Sequence, residues 1–225
     1  MALILESFQR CFSLLRKDFL IVLRATYPYL VPATVIGLFI EIYQLPMNAA
    51  ALGVILGLIV FVCTYFASAI LIVIGEADGK QAIVGKTYAF DRAVQAFPRA
   101  FGLFLLIGLA AVILALLLMA FLPLGLLAFA VLLVFIVYWA FILQALILRD
   151  TGVFEAFGCS FYVVRGNWWR VFGMMVALGF ATWLGEALAS LLPGLLGLVV
   201  LGLFSYLMLI VAMLVNTFMF LSLEK

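Results

Sequence analysis

Six runs of about 20 or more mostly apolar residues, near 20–43, 49–75, 101–121, 125–148, 171–191 and 196–221, leave this chain few ways to fold. About 20 residues of helix span the hydrocarbon core of a bilayer, where each backbone N–H and C=O must be satisfied within its own segment. The 225 residues are 70% apolar and 10% charged, against about half apolar and a quarter charged in soluble domains. An all-α integral membrane protein with six transmembrane helices is expected.

One frame, present three times without gaps, groups these runs into pairs. FQRCFSLLRKDF at 8–19, FDRAVQAFPRAF at 90–101 and FYVVRGNWWRVF at 161–172 each hold a Phe, eight residues, a basic residue, any residue and a closing Phe. The basic residues are Lys17, Arg99 and Arg170. An apolar run starts at or just after each closing Phe and reaches a Leu-Pro pair, Leu45-Pro46, Leu122-Pro123 or Leu192-Pro193, beyond which a second run returns. The pattern predicts one polytopic domain of three hairpin repeats, roughly 1–75, 76–148 and 149–225, each preceded by a cytoplasmic amphipathic interfacial helix. In the middle unit Ala89, Phe90, Ala93, Val94 and Phe97 would share the apolar face of that helix, and Pro98 would end it before Arg99. Gly166-Asn167 would break the third, and Pro28 and Pro32 would kink the first span.

Charge sets the expected orientation. All 12 Lys and Arg residues fall in the N-terminal segment, at the start of the first span, in the two long loops or at Lys225, and the Leu-Pro turns have none. The positive-inside rule then places both termini, both long loops and the three amphipathic segments on the cytoplasmic side of the membrane. The N-terminus lacks a short apolar core followed by a small-residue cleavage site, so the first span is expected to stay as an anchor.

Several chemistries find no residues here. The sequence has no His, and Cys11, Cys63 and Cys159 have no metal-site or disulfide spacing. No Gly-rich phosphate loop, paired-Cys motif or nucleophile elbow occurs. No catalytic residue, cofactor, metal or nucleic-acid partner is therefore expected. The polar positions that remain point to the membrane. Lys17, Arg99 and Arg170, with Asn167, Trp168 and Trp169, are candidate contacts for anionic phospholipids, because basic residues near an anionic leaflet each contribute about 1 kcal/mol and Trp anchors at headgroup depth. Glu41 and Glu186 are the charged residues expected in the outer half of the bilayer, and they form a possible ion or proton site. Gln144 and Asn216, 72 positions apart, are expected to hydrogen-bond between helices.

The motif GNWWRVF, preceded by LRDTGVFEAFGCSF, and the stretch ADGKQAIVGKTYAFDRAVQAFPRAFGLFLL resemble the YciC-like bacterial inner-membrane proteins over about residues 70–220. They are also similar to the membrane domain fused to some glycerophosphodiester phosphodiesterases. The resemblance implies a six-helix inner-membrane protein and carries over no phosphodiesterase activity. The function expected is that of a non-enzymatic scaffold or accessory subunit among other integral membrane subunits. The alternative is a small transporter or channel using Glu186 and Glu41.

Overall fold

Apolar sequence inside a bilayer favours helix because its backbone has no water to pair with. The computed structural model describes residues 2–43, 50–79, 86–192 and 194–224. Those residues form eight helices: α1 Ala2–Tyr43, α2 Ala50–Gly79, α3 Lys86–Ala120, α4 Leu122–Tyr138, α5 Ile142–Leu148, α6 Val153–Val164, α7 Trp168–Ser190 and α8 Gly194–Leu223. Among the described residues, five stretches are long and apolar enough to cross a membrane: Ile55–Gly79, Thr87–Met119, Gly125–Leu148, Trp168–Ser190 and Leu196–Leu223. This is the build of a multi-pass membrane protein. The turn Leu45-Pro46, Lys80 and Pro193 lie outside the described residues, as do the side chains of Glu41 and Lys86.

Neighbours in sequence pair as hairpins, α1 with α2, α3 with α4 and α7 with α8. The returning helix of each hairpin then touches the outgoing helix of another, in the pairs α2–α3, α4–α7 and α8–α1. Two members of this ring, α2 and α8, also contact each other, and α5 contacts both. Their contact forms the core, with Leu71, Ile72, Phe141, Leu146, Leu214 and Phe220 fully buried. The rings of Phe141 and Phe220 lie 5.8 Å apart. Away from this core α3, α4 and α7 expose large apolar side chains, among them Leu109, Leu116, Phe129, Leu133 and Trp183.

The outgoing helices start differently from one hairpin to the next. In α1 the segment expected to be amphipathic and the apolar run are continuous apart from a kink at Asp18 (φ −124°, ψ 25°), and the helix continues through Pro28 and Pro32. In α3 the expected stop at Pro98 does not occur, and the helix runs unbroken through the proline. Pro98 and Val94 both face outward, so the Val94 carbonyl that loses its ladder donor can be solvated. A buried stripe of Ala89, Ala93, Ala96 and Ala100 meanwhile holds the helix in register across the site. The buried face is thus rotated from the one predicted, since Phe90 and Val94 are exposed. Only before α7 does the chain break as expected, at Gly166 with φ +91°.

The second hairpin turns on a single extended residue, Phe121 (φ −151°, ψ 91°), whose carbonyl accepts the Gly125 N–H at 3.0 Å. A Cβ on Gly125 would stand 2.6 Å from the Leu118 Cα, so only glycine lets the two helices approach here. The returning run 125–148, expected as one helix, is interrupted between α4 and α5 at residues 139–141.

Candidate functional site at the charged end of the bundle

The three helices that meet at the core, α2, α5 and α8, finish in charged residues at the same end of the bundle. Glu76 lies in the last turn of α2, Arg149 caps α5, and Glu224 follows α8. Two outgoing helices add Arg10 from α1 and Arg92 from α3. Together with Gly79, Leu148 and Leu221 these five charged side chains line a cleft of about 400 Å³.

Each charged group in the cleft has an identifiable partner. Arg92 Nη1 lies 3.5 Å from Glu76 Oε2, and its Nη2 donates to the Leu148 carbonyl at 2.8 Å. That carbonyl belongs to the last turn of α5, where a helix lacks internal donors and its dipole favours a cation. Arg149 donates from Nε to Glu224 Oε1 at 2.6 Å, which ties the end of α5 to the end of α8. This hydrogen bond pushes the Arg149 guanidinium further up, against the opposing effect of burial. Arg10 pairs with Glu6 one turn earlier at 2.6 Å. The cleft is therefore lined by three arginines and two glutamates whose separate pairs tie the ends of α2, α5 and α8 together.

Arg99 continues this clamp. It lies two turns beyond Arg92 on α3, and its Nη1 donates to the carbonyls of Asp150 (2.8 Å) and Thr151 (3.1 Å) while Nη2 reaches Asp150 Oδ1 at 2.5 Å. The α5–α6 connection it grips contains Asp150 at φ +53°, an uncommon backbone state for a residue other than glycine. Arg92→Ala should destabilise the protein by about 1–3 kcal/mol, because it removes a charged donor from the part-buried Leu148 carbonyl and one ion-pair contact from Glu76. Arg149→Ala breaks a pair that is half exposed and should cost less than about 1 kcal/mol. Thermal unfolding of the two variants in the same detergent gives the comparison, and equal losses would refute the ranking.

The residues singled out from sequence are spread over this end and beyond it. Lys17 is exposed beside the α1 kink. Arg170 is exposed, and its Nη1 donates to Asn167 Oδ1 at 2.9 Å, so the Asn167 oxygen orients the arginine. Trp169 is 77% exposed, whereas Trp168 is half-buried and stacks on Phe172 at 5.0 Å. The Trp168 Nε1 is buried with no acceptor. Glu186 is exposed on α7, far along the helix from the charged cleft, and the Glu41 side chain lies outside the described residues. Gln144 and Asn216 do not behave as expected, because Gln144 Oε1 and Asn216 Oδ1 are both buried without a hydrogen-bond donor. Among the described residues no group of three or more His, Cys, Asp or Glu side chains could hold a metal ion.

Sequence reasoning passed over Arg10 and Arg92, although a signal was present. They occupy the same position of the repeated frame, the second residue after the opening Phe, where the third copy has the buried Val163. No family model matches the chain, and no curated protein and no solved structure matches it.

Proposed function

We propose that the chain is a non-enzymatic inner-membrane protein of the YciC-like kind, a scaffold or accessory subunit that holds anionic phospholipids at its cytoplasmic face. In this proposal its six spans form three hairpin repeats around an axis along the membrane normal, with both termini and the charged cleft in the cytoplasm. The observation that carries it is the separation of surfaces. Exposed Leu, Ile, Val and Phe side chains cover α3, α4 and α7, while the ion pairs gather at one end. Lipid tails and apolar partner helices suit the first surface, and phosphate groups suit the second.

The repeat has two independent supports. In each frame the residue before the opening Phe and the third residue after it are fully buried: Ser7 and Cys11, Ala89 and Ala93, Ser160 and Val164. The helix contacts α2–α3, α4–α7 and α8–α1 also follow one another cyclically. Lipid retention falls mainly to Arg170 and Lys17, which are exposed, with Trp169 setting the depth, because the Arg99 fork is occupied by Asp150 and Thr151. A planar guanidinium binds phosphate through two hydrogen bonds, which a lysine cannot reproduce. The transporter or channel alternative draws on Glu186, a carboxylate in a span-length helix where insertion costs about 2.5–3.5 kcal/mol at the centre.

Native mass spectrometry of protein purified in mild detergent tests the lipid role. Arg170→Ala should lose bound phosphatidylglycerol or cardiolipin, Arg170→Lys should lose more than Lys17→Arg, and Arg99→Ala should lose least. Equal retention in all variants would leave these residues a topological role only. Co-migration of the native protein with a larger complex supports the subunit role. Ion or solute flux through proteoliposomes containing the isolated chain would overturn it in favour of transport.

A further inference from the structure

Arg24 differs from the arginines of the charged end. It lies seven residues beyond Lys17 on α1, about 10 Å further along the helix, and so at the start of the apolar run. Arg10, Arg92, Arg99, Arg149 and Arg170 have named partners, whereas among the described residues no ion pair or hydrogen bond engages Arg16, Arg24 or Arg165, all exposed; of these three only Arg24 lies within an apolar run and lines a cavity. A guanidinium at this depth needs an anion or access to the interface, since charge inside the hydrocarbon is costly.

The surroundings of Arg24 provide room for such an anion. α1 and α3 both pack on α2, and the gap between them is a cavity of about 420 Å³ lined by Arg24, Ile21 and Pro28 from α1, Ile70 and Ile74 from α2, and Thr87 and Phe90 from α3, among others. That volume falls within the range of about 300–1,000 Å³ usual for small-molecule sites. Pro28 has no N–H, so the Arg24 carbonyl also lacks its ladder donor four residues on. Arg24 thus lines the cavity with a cationic side chain on a turn whose backbone carbonyl has lost its ladder donor. The floor, Ile70 and Ile74, is apolar.

We propose that this cavity is a phospholipid site, in which Arg24 binds the phosphate, the Arg24 carbonyl accepts from a hydroxyl or ammonium of the headgroup, and an acyl chain lies over Ile70 and Ile74. The site is separate from the lipid contacts assigned to Arg170 and Lys17, and it stands if those fail. The shared chemistry is that of a phosphate monoanion. The apolar floor assigns that phosphate to a membrane lipid rather than to a soluble ion.

The full-length protein, delipidated in detergent and titrated with short-chain phosphatidylglycerol, tests this by native mass spectrometry and thermal melting. Wild type should hold one lipid that Arg24→Gln binds about tenfold more weakly, the loss of a charge-assisted bond. Ile21→Trp, which fills the cavity from an exposed position and keeps the arginine, should lose the same lipid, and Arg170→Ala should retain it. Inorganic phosphate should give no comparable stabilisation. Unchanged binding in folded Arg24→Gln, or unchanged binding in folded Ile21→Trp, would overturn the proposal. Equal stabilisation by inorganic phosphate would overturn the lipid assignment. Should Arg24→Gln fail to fold, the Ile21→Trp result decides.

Discussion

Cys11 should react with a thiol reagent about a thousandfold more slowly in the folded protein than in the unfolded chain. It lies on the first part of α1, before the kink at Asp18, with 0% exposure, and its Sγ faces the Val211 carbonyl of α8 at 4.0 Å. Burial pushes the thiol from 9.0 to about 12. Thiolate is the reactive form, and at pH 8 this shift lowers its fraction from roughly one in ten to about one in ten thousand. Steric protection adds to that factor. Cys159 is only partly buried, and although burial also pushes its thiol up, it should label first. A maleimide time course on detergent-solubilised protein, read by mass spectrometry of its peptides, resolves the two sites. Equal rates would mean that the start of α1 is not docked on α8. The pH dependence has a definite sign. Because the folded-state value is raised, the stabilisation from the neutral thiol is complete below about pH 9 and is lost as pH climbs towards 12.

Ser160→Ala should lower stability by about 1–3 kcal/mol for each buried group it leaves unpaired. Between α4 and α5 the ladder is interrupted, and local bonds such as Ala140 N–H to the Val137 carbonyl (3.3 Å) and Ile142 N–H to the Trp139 carbonyl (3.2 Å) cover part of the gap. Ser160, fully buried on α6, covers the rest. Its Oγ donates to the Tyr138 carbonyl at 2.7 Å and accepts the Phe141 N–H at 3.1 Å. Alanine removes both bonds where no other donor or acceptor stands ready. For a chain of this size, each kcal/mol lowers the melting temperature by about 2–4 °C. Ser160→Cys, close in shape and weaker as a hydrogen-bonding group, should fall between alanine and wild type. A melting curve for Ser160→Ala that overlays the wild type would refute the bridge.

Neither feature could have been located from sequence, though both lie in segments the sequence predicts. Cys11 sits on the expected apolar stripe, yet nothing local distinguishes a thiol against α8 from one against lipid. The break at residues 139–141 contains Trp, Ala and Phe, with no glycine or proline to mark it. Conversely Pro98 is a marked breaker that breaks nothing, because the alanine stripe on its helix docks continuously on both sides of it.

Local physics settles what the sequence determined alone. Long apolar runs must become helices where no water pairs with the backbone, and that dictates an all-helical membrane protein with charge confined to a few short segments. The ungapped frame recurs three times in the sequence, and Ser7, Ala89 and Ser160, each one residue before its opening Phe, are all buried. The partners of the polar groups were decided only by tertiary structure. Arg99 carries the same charge whether it faces a phosphate or Asp150, and α3 brings it to a carbonyl 51 residues away. Arg24 has the same side chain and finds a cavity instead. A helix period fixes the direction of a side chain about its own axis, but the group it meets depends on how the helices pack, through contacts between residues far apart in the chain.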